Sequence, residues 1–119
     1  MADLIAGRLV TESVLQRKVA ALWPLPTERE NALHALARYG EARHEGSILR
    51  VRLAIVRLAT ADRLKLDELV AMAKQDYRDV IMWAEYPREG RMLPGAGSTT
   101  SMEAVRAADR ADYLRWLDE

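Results

Sequence analysis

The sequence contains no cysteine and no phenylalanine, and only 6% of its 119 residues are aromatic. The missing cysteine excludes disulfides, thiolate metal sites and cysteine nucleophiles together. The chain also lacks an excess of charge of either sign, because 18 basic residues balance 18 acidic ones. No overall electrostatic field therefore draws it toward nucleic acid or anionic lipid.

Long apolar runs are missing as well. No stretch approaches the roughly 18 uncharged apolar residues that a membrane-spanning helix needs, so we expect no membrane partner. At the N-terminus, Asp3, Arg8 and Glu12 interrupt the basic, apolar and small-residue order of a signal peptide. These absences predict a soluble protein of the cytoplasm.

The residues that are present are typical of a small globular protein, since 50% of them are hydrophobic and 30% are charged. A chain of this length forms one domain with a real core. Alanine, leucine, arginine and acidic residues dominate, and short alternating apolar runs are rare, which favours helices over strands. We therefore predict an all-α fold, in which a single compact domain over 1–119 packs four to five helices around a central helix at about 47–59.

The central helix is predicted from the segment 47–59, SILRVRLAIVRLA. At about 100° per residue the segment is apolar on two sides, so most of its circumference needs to be covered. The residues of one side are Ile48, Val51, Ile55 and Leu58, and those of the other are Leu49, Leu53 and Val56. Ser47 is placed to cap the first turn through its hydroxyl.

Capping and breaking signals divide the rest of the chain. Thr27 with Glu30, and Thr100 with Glu103, form capping boxes, and Asp62 is placed to cap the helix after the central one. The predicted segments are an N-terminal helix over 3–22 with its Trp-Pro-Leu-Pro turn (together 1–26), a three-helix core over 27–87, a flexible loop at 88–99 and a C-terminal helix over 100–119. Within the core, the helix over 63–86 has the clearest inward face, which consists of Leu66, Leu69, Val70, Ala73, Tyr77, Val80, Ile81 and Ala84.

Glycines and charged residues mark the weaker points of these helices. Gly7 is expected to weaken the first helix by about 1 kcal/mol relative to alanine, and Gly40 to end the second one after Tyr39. In the C-terminal helix, Arg106 and Asp109 interrupt an apolar stripe that consists of Met102, Val105, Tyr113, Trp116 and Leu117.

A second stripe on the helix over 63–86 predicts an interaction surface. Five residues follow one another at heptad-like intervals, beside the core face and not within it: Met72, Asp76, Asp79, Trp83 and Tyr86. Two carboxylates framed by a methionine and two aromatic side chains are typical of protein interfaces, where Trp and Tyr serve as anchors. The alternative is that the C-terminal or the first helix of the same chain covers this stripe.

The densest cluster of chemically capable groups is Asp76-Tyr77-Arg78-Asp79, in which Asp76 and Asp79 lie one turn apart on the same side of the predicted helix. Arg52 lies between apolar faces and needs a carboxylate if it is buried, so we predict that Arg52, or alternatively Arg50, forms a buried ion pair with one of the two aspartates. Alternatively, the aspartates are the centre of a small-molecule or metal-dependent enzyme, with Arg52, Tyr77 or His34 nearby.

Several missing patterns argue against catalysis. Two aspartates of one helix supply too few of the roughly six oxygen ligands of a hard cation, and no histidine or glutamate accompanies them at a fixed spacing for acid–base work. His34, near the inward edge of its helix, and His44, in a polar connector, belong to no His-x-x-x-His or Glu-x-x-His pair. We therefore predict no catalytic residue, no metal and no cofactor.

Weak nucleic-acid binding is a further alternative. Arg50, Arg57 and Arg63 are candidates for phosphate contacts, on the central helix and at the start of the next. If the central helix and the helix over 63–86 formed a helix-turn-helix, the second of them would contact the bases. That helix is acidic, however, and buries a full core face, whereas a recognition helix presents basic or amide side chains. The sequence therefore disfavours a nucleic-acid partner.

The segment Arg50–Pro87 begins with Arg-Val-Arg-Leu-Ala and carries Asp-Tyr-Arg-Asp at 76–79, followed by Ala-Glu-Tyr-Pro at 84–87. This third of the chain resembles a short, uncharacterised bacterial protein family. The resemblance implies a bacterial cytosolic protein, and it brings no activity, cofactor or site residue with it.

Together these patterns favour a small helical protein that is not an enzyme. We expect it to act as a protein-interaction module or a homo-oligomer through the stripe of Met72, Asp76, Asp79, Trp83 and Tyr86.

Overall fold

Apart from one short hairpin, the observed elements are helices. The computed structural model describes residues 2–92 and 99–119, with the backbone alone for 99 and 100. In chain order, the elements of these residues are β1 (Ala2–Ile5), β2 (Arg8–Thr11), α1 (Glu12–Leu22), α2 (Pro26–Ala37), α3 (Ile48–Ala59), α4 (Arg63–Gln75), α5 (Tyr77–Glu85), α6 (Pro87–Gly90) and α7 (Thr99–Asp118). The predicted all-α fold class is confirmed.

The N-terminal hairpin corrects the predicted helix over 3–22, of which only the second half is helical. Strands β1 and β2 pair antiparallel, and Ala6 and Gly7 form the two-residue turn between them. Both turn residues have positive φ, +50° for Ala6 and +81° for Gly7, as the twist of a tight hairpin requires. Gly7 therefore makes the turn instead of weakening a helix.

Helix α3 lies at the centre, as predicted, and packs against α1, α4, α5 and the hairpin. Its buried residues are Leu49, Val51, Leu53, Ala54, Ile55, Val56 and Ala59. The predicted Ser47 cap is wrong, because Ser47 has a left-handed backbone (φ +50°) and its hydroxyl makes no capping bond. Instead, the Arg50 amide donates to Asp3 Oδ2 at 3.0 Å, so a strand residue serves the first turn of this helix.

Helix α2 differs from its prediction at both ends. It begins at Pro26, whose fixed φ suits the first helical position, and no side chain caps it, so the Thr27 capping box is wrong. It ends at Ala37, and Gly40, with φ +112°, lies beyond the helix in the connector. Asp62 does cap α4 as predicted, because its side chain accepts from the Lys65 amide.

The predicted loop at 88–99 is partly helical. Pro87 begins the one-turn helix α6, which follows directly on α5. Residues 93–98 of that predicted loop lie outside the described residues, and so does the Thr100 side chain of the second capping box. Helix α7 begins at Thr99.

Helix α7 docks through a mixed apolar and ionic face. Tyr113 and Leu117 of the predicted stripe are buried. Asp109, which was expected to interrupt that stripe, is buried too and accepts hydrogen bonds from the Arg88 side chain and the Glu89 amide, at 3.0 and 3.2 Å. Because both donors belong to α6, this buried carboxylate holds α7 against α6. Among the described residues, no helix is long and apolar enough to cross a membrane.

Candidate functional site

The predicted helix over 63–86 is broken at Asp76. The Asp76 backbone is extended (φ −154°, ψ 100°), and its carboxylate accepts from the Arg78 amide at 3.1 Å, so it is the N-cap of α5. The Arg78 side chain donates to the same carboxylate at 3.0 Å, and these bonds lower the pKa of Asp76. An aspartate that binds the first amides of a helix favours a new helix start over continuation of the previous one.

This break divides the predicted stripe. Met72 stays on α4, Asp76 is the junction itself, and Tyr86 follows the last residue of α5. Asp79 and Trp83 do share the outward side of α5. The stripe is therefore not one continuous helix face, and its C-terminal half alone forms a common surface.

The outward side of α5 also exposes Met82, which the heptad spacing did not include. Asp79, Met82 and Trp83 fall within an arc of about 100° on this helix; we call these three residues the α5 face. Met82 is 38% exposed and Trp83 44%. Two large apolar side chains next to each other on a short helix form a patch that water solvates poorly.

A cleft lies on each side of this patch. The tyrosine cleft has a volume of about 270 Å³ and is lined by Arg50, Tyr77, Arg78, Ile81, Met82 and Tyr86. The tryptophan cleft, of about 330 Å³, is lined by Leu58, Trp83, Pro87, Gly90 and Arg91. Both volumes are at the small end of those of ligand pockets, and each suits one or two side chains.

The predicted ion pair of Arg52 with Asp76 or Asp79 is wrong. Arg52 instead donates to the Tyr39 carbonyl, at 2.8 Å from Nη2 and 3.1 Å from Nε. Tyr39 lies in the turn after α2, and Arg52 Nη2 also donates to the carbonyl of Ala37, the last residue of α2, at 3.4 Å. The guanidinium thus binds carbonyls at and just beyond a helix C-terminus, where the helix itself leaves them without partners. Burial lowers the pKa of Arg52. The sequence places Arg52 between two apolar faces, where the side chain is half-buried, but it does not show that the acceptors are backbone carbonyls.

Two buried ion pairs replace the predicted one. Arg50 binds Glu85 through both carboxylate oxygens, at 2.8 and 2.9 Å, and Glu85 is only 3% exposed. Glu45 accepts from Lys74 at 2.9 Å. Glu85 could have been found from its spacing, because it follows Ile81 by four residues and so extends the buried side of α5. No comparable spacing marks Glu45, which lies in a connector.

A polar cleft of about 320 Å³ is lined mainly by ionisable side chains, and Asp79 is not among them. It is lined by Tyr39, His44, Glu45, Ala73, Lys74, Gln75, Asp76, Tyr77 and Arg78. Burial opposes the charge of Glu45, but the Gly40 amide, Lys74 and the Ala42 amide hold its pKa down at about 2. Burial and the Glu45 charge raise the pKa of Tyr39 to about 12. Neither group changes protonation near neutral pH, so the pair is not matched to proton transfer.

The arrangement does not assemble a metal or histidine site in the part of the chain that the structure describes. No three histidine, aspartate or glutamate side chains of these residues come within reach of one ion. His34 and His44 are both exposed, and His34 is not at the inward edge of its helix as predicted.

The three arginines considered for phosphate contacts have internal partners. Arg50 binds Glu85, and Arg63 binds Asp67 at 3.4 Å. Arg57 lies 5.2 Å from the Tyr113 ring and buries its Nη1 without a hydrogen-bond partner. The three side chains thus serve packing within the domain and do not form a row of free cations.

Comparison with known proteins adds no relative: no protein-family model, curated protein or solved structure matches this chain.

Proposed function

We propose that this chain is a non-catalytic protein-interaction module that binds another protein chain through the α5 face. The observation that supports this proposal is the exposure of Met82 and Trp83 side by side, with a cleft on either side of them. Exposed tryptophan next to a pocket is typical of the anchors that contribute most of the energy of protein interfaces. We further propose that the module works in the bacterial cytoplasm, as the resemblance of Arg50–Pro87 suggests.

The charged groups nearby fit this role better than a catalytic one. Asp76 is occupied by Arg78, Glu45 by Lys74 and Glu85 by Arg50. The Lys74–Glu45 pair holds α4 to the connector after α2, and the Arg50–Glu85 pair holds α5 to α3. They therefore provide a rigid base for the apolar patch, which lowers the entropy lost when a partner binds.

Site-specific photo-crosslinking in cells tests this proposal. A benzophenone amino acid replaces Trp83 in one variant and Leu64 in a matched control. Leu64 lies in the first turn of α4 and, at 76%, is more exposed than Trp83. We expect a crosslinked species of defined mass from position 83 and none from position 64. No product from position 83, or the same products from both positions, would show that the α5 face has no partner.

A further inference from the structure

Two charged residues, one in the α5 face and one beside it, make no ion pair with the described part of the chain. Within residues 2–92 and 99–119, neither Asp79 nor Arg91 makes an ion pair or a hydrogen bond through its side chain. Their charged neighbours differ, since Arg78 binds Asp76 and Arg88 binds Asp109. Among the described residues, the charged side chains next to the patch that make no ion pair are thus one of each sign.

These charges lie on different sides of Trp83. Asp79 precedes Trp83 by one turn of α5 and is outside the tryptophan cleft. Arg91 follows α6 and lines that cleft together with Leu58, Pro87 and Gly90. Trp83 itself borders the cleft, so the same surface holds an exposed indole, a cavity beside it, one free anion and one free cation.

A surface that carries an exposed indole, a cavity and one charge of each sign holds the kinds of group that a second copy of itself would need. A two-fold interface brings the same patch together twice, so every group that one copy presents must find its counterpart on the identical surface. Resting on the proposed function, we propose that the partner is a second copy of this chain. Each Trp83 then enters the tryptophan cleft of the other copy, and each Asp79 pairs with the Arg91 of the other copy.

The size of the surface sets the affinity that we expect between the two copies. The nine residues of α5 span only about 13 Å, and interfaces well below about 1,200 Å² belong to weak, transient complexes. We therefore expect a monomer–dimer equilibrium that shifts within a micromolar concentration series. Higher ionic strength should weaken the dimer, because the Asp79–Arg91 pairs lie at the edge of the contact.

Charge reversal with sedimentation equilibrium tests this inference. We expect Asp79→Arg and Arg91→Asp each to raise the dimer Kd about tenfold or more, because each change creates two like-charge contacts across the two-fold axis. The double variant should return the Kd to within about threefold of the parent. Glu68→Arg, on α4, changes net charge as much as Asp79→Arg and should leave the Kd unchanged. Circular dichroism establishes that every variant is folded.

Two results would overturn the inference. One is a parent protein that stays monomeric across the series; the other is a double variant as weak as either single one. Crosslinking from position 83 separates this failure from failure of the proposed function. A monomer that still crosslinks to a different protein contradicts the second copy alone, whereas a monomer without a crosslinked product contradicts both proposals.

Discussion

The buried Arg50–Glu85 pair allows a quantitative prediction about the free energy of unfolding. Arg50→Met keeps most of the aliphatic packing but leaves the Glu85 carboxylate, which is 3% exposed, without its cation. Removal of one partner of a fully buried pair costs about 3–5 kcal/mol. The Arg50 side chain is 32% exposed, so water reaches its end of the pair and reduces this cost. We expect a loss of about 2–3 kcal/mol in the free energy of unfolding.

Urea denaturation of the parent and the variant, followed by circular dichroism, measures this difference directly. The matched control is Arg63→Met, which breaks the pair with Asp67, where both side chains are about two-fifths exposed. Exposed pairs of this kind contribute about 0.3–0.5 kcal/mol. The double variant Arg50→Met with Glu85→Gln should recover part of the loss, because no unpaired charge is then buried. The reasoning is refuted if Arg50→Met costs no more than Arg63→Met.

Three further changes test the local structure. The Glu45 carboxylate has a folded pKa of about 2, against an ordinary value of 4.5, so its stabilising effect is complete above about pH 4.5 and is lost as the pH falls toward 2. Glu45→Gln should remove this part of the pH dependence of the free energy of unfolding. An unchanged pH profile would contradict the assignment. Gly7→Ala should cost about 1 kcal/mol because φ is +81° although no atom obstructs a Cβ, whereas Gly46→Ala, with equally open space, should cost nothing. Asp76→Ala should lower the urea midpoint, while Asp76→Asn retains most of the cap; equal losses for both variants would show that the cap is not responsible.

The sequence was sufficient to predict which residues are buried where apolar residues recur at a regular helical period. Residues Leu66, Leu69, Val70 and Ala73 are buried on α4, as their spacing predicted. The same spacing concealed the break at Asp76, because the apolar pattern resumes in α5 with almost the same phase. The cap that starts α5 depends on one carboxylate and its hydrogen bonds to Arg78, and a periodic apolar pattern contains no sign of them.

The sequence did not predict the hairpin, and the reason is a different one. Its strands have four residues each, too few for an alternating pattern to stand out from a helical one. The Arg52 acceptors are backbone carbonyls, and sequence letters do not distinguish carbonyls at helix ends from those inside helices. The α5 face was predicted in part: Asp79 and Trp83 were named for it, while Met82 was missed because it departs from the heptad spacing.

The hydrogen bond from the Arg50 amide to Asp3 has a consequence for cooperativity. One of the four amides that every helix leaves unsatisfied finds its acceptor here only while the hairpin is docked. Opening of β1 therefore also frays the first turn of the most buried helix, and in hydrogen exchange the two segments should open as one unit. The first strand and the central helix, joined by residues 47 positions apart in sequence, thus share a single local stability.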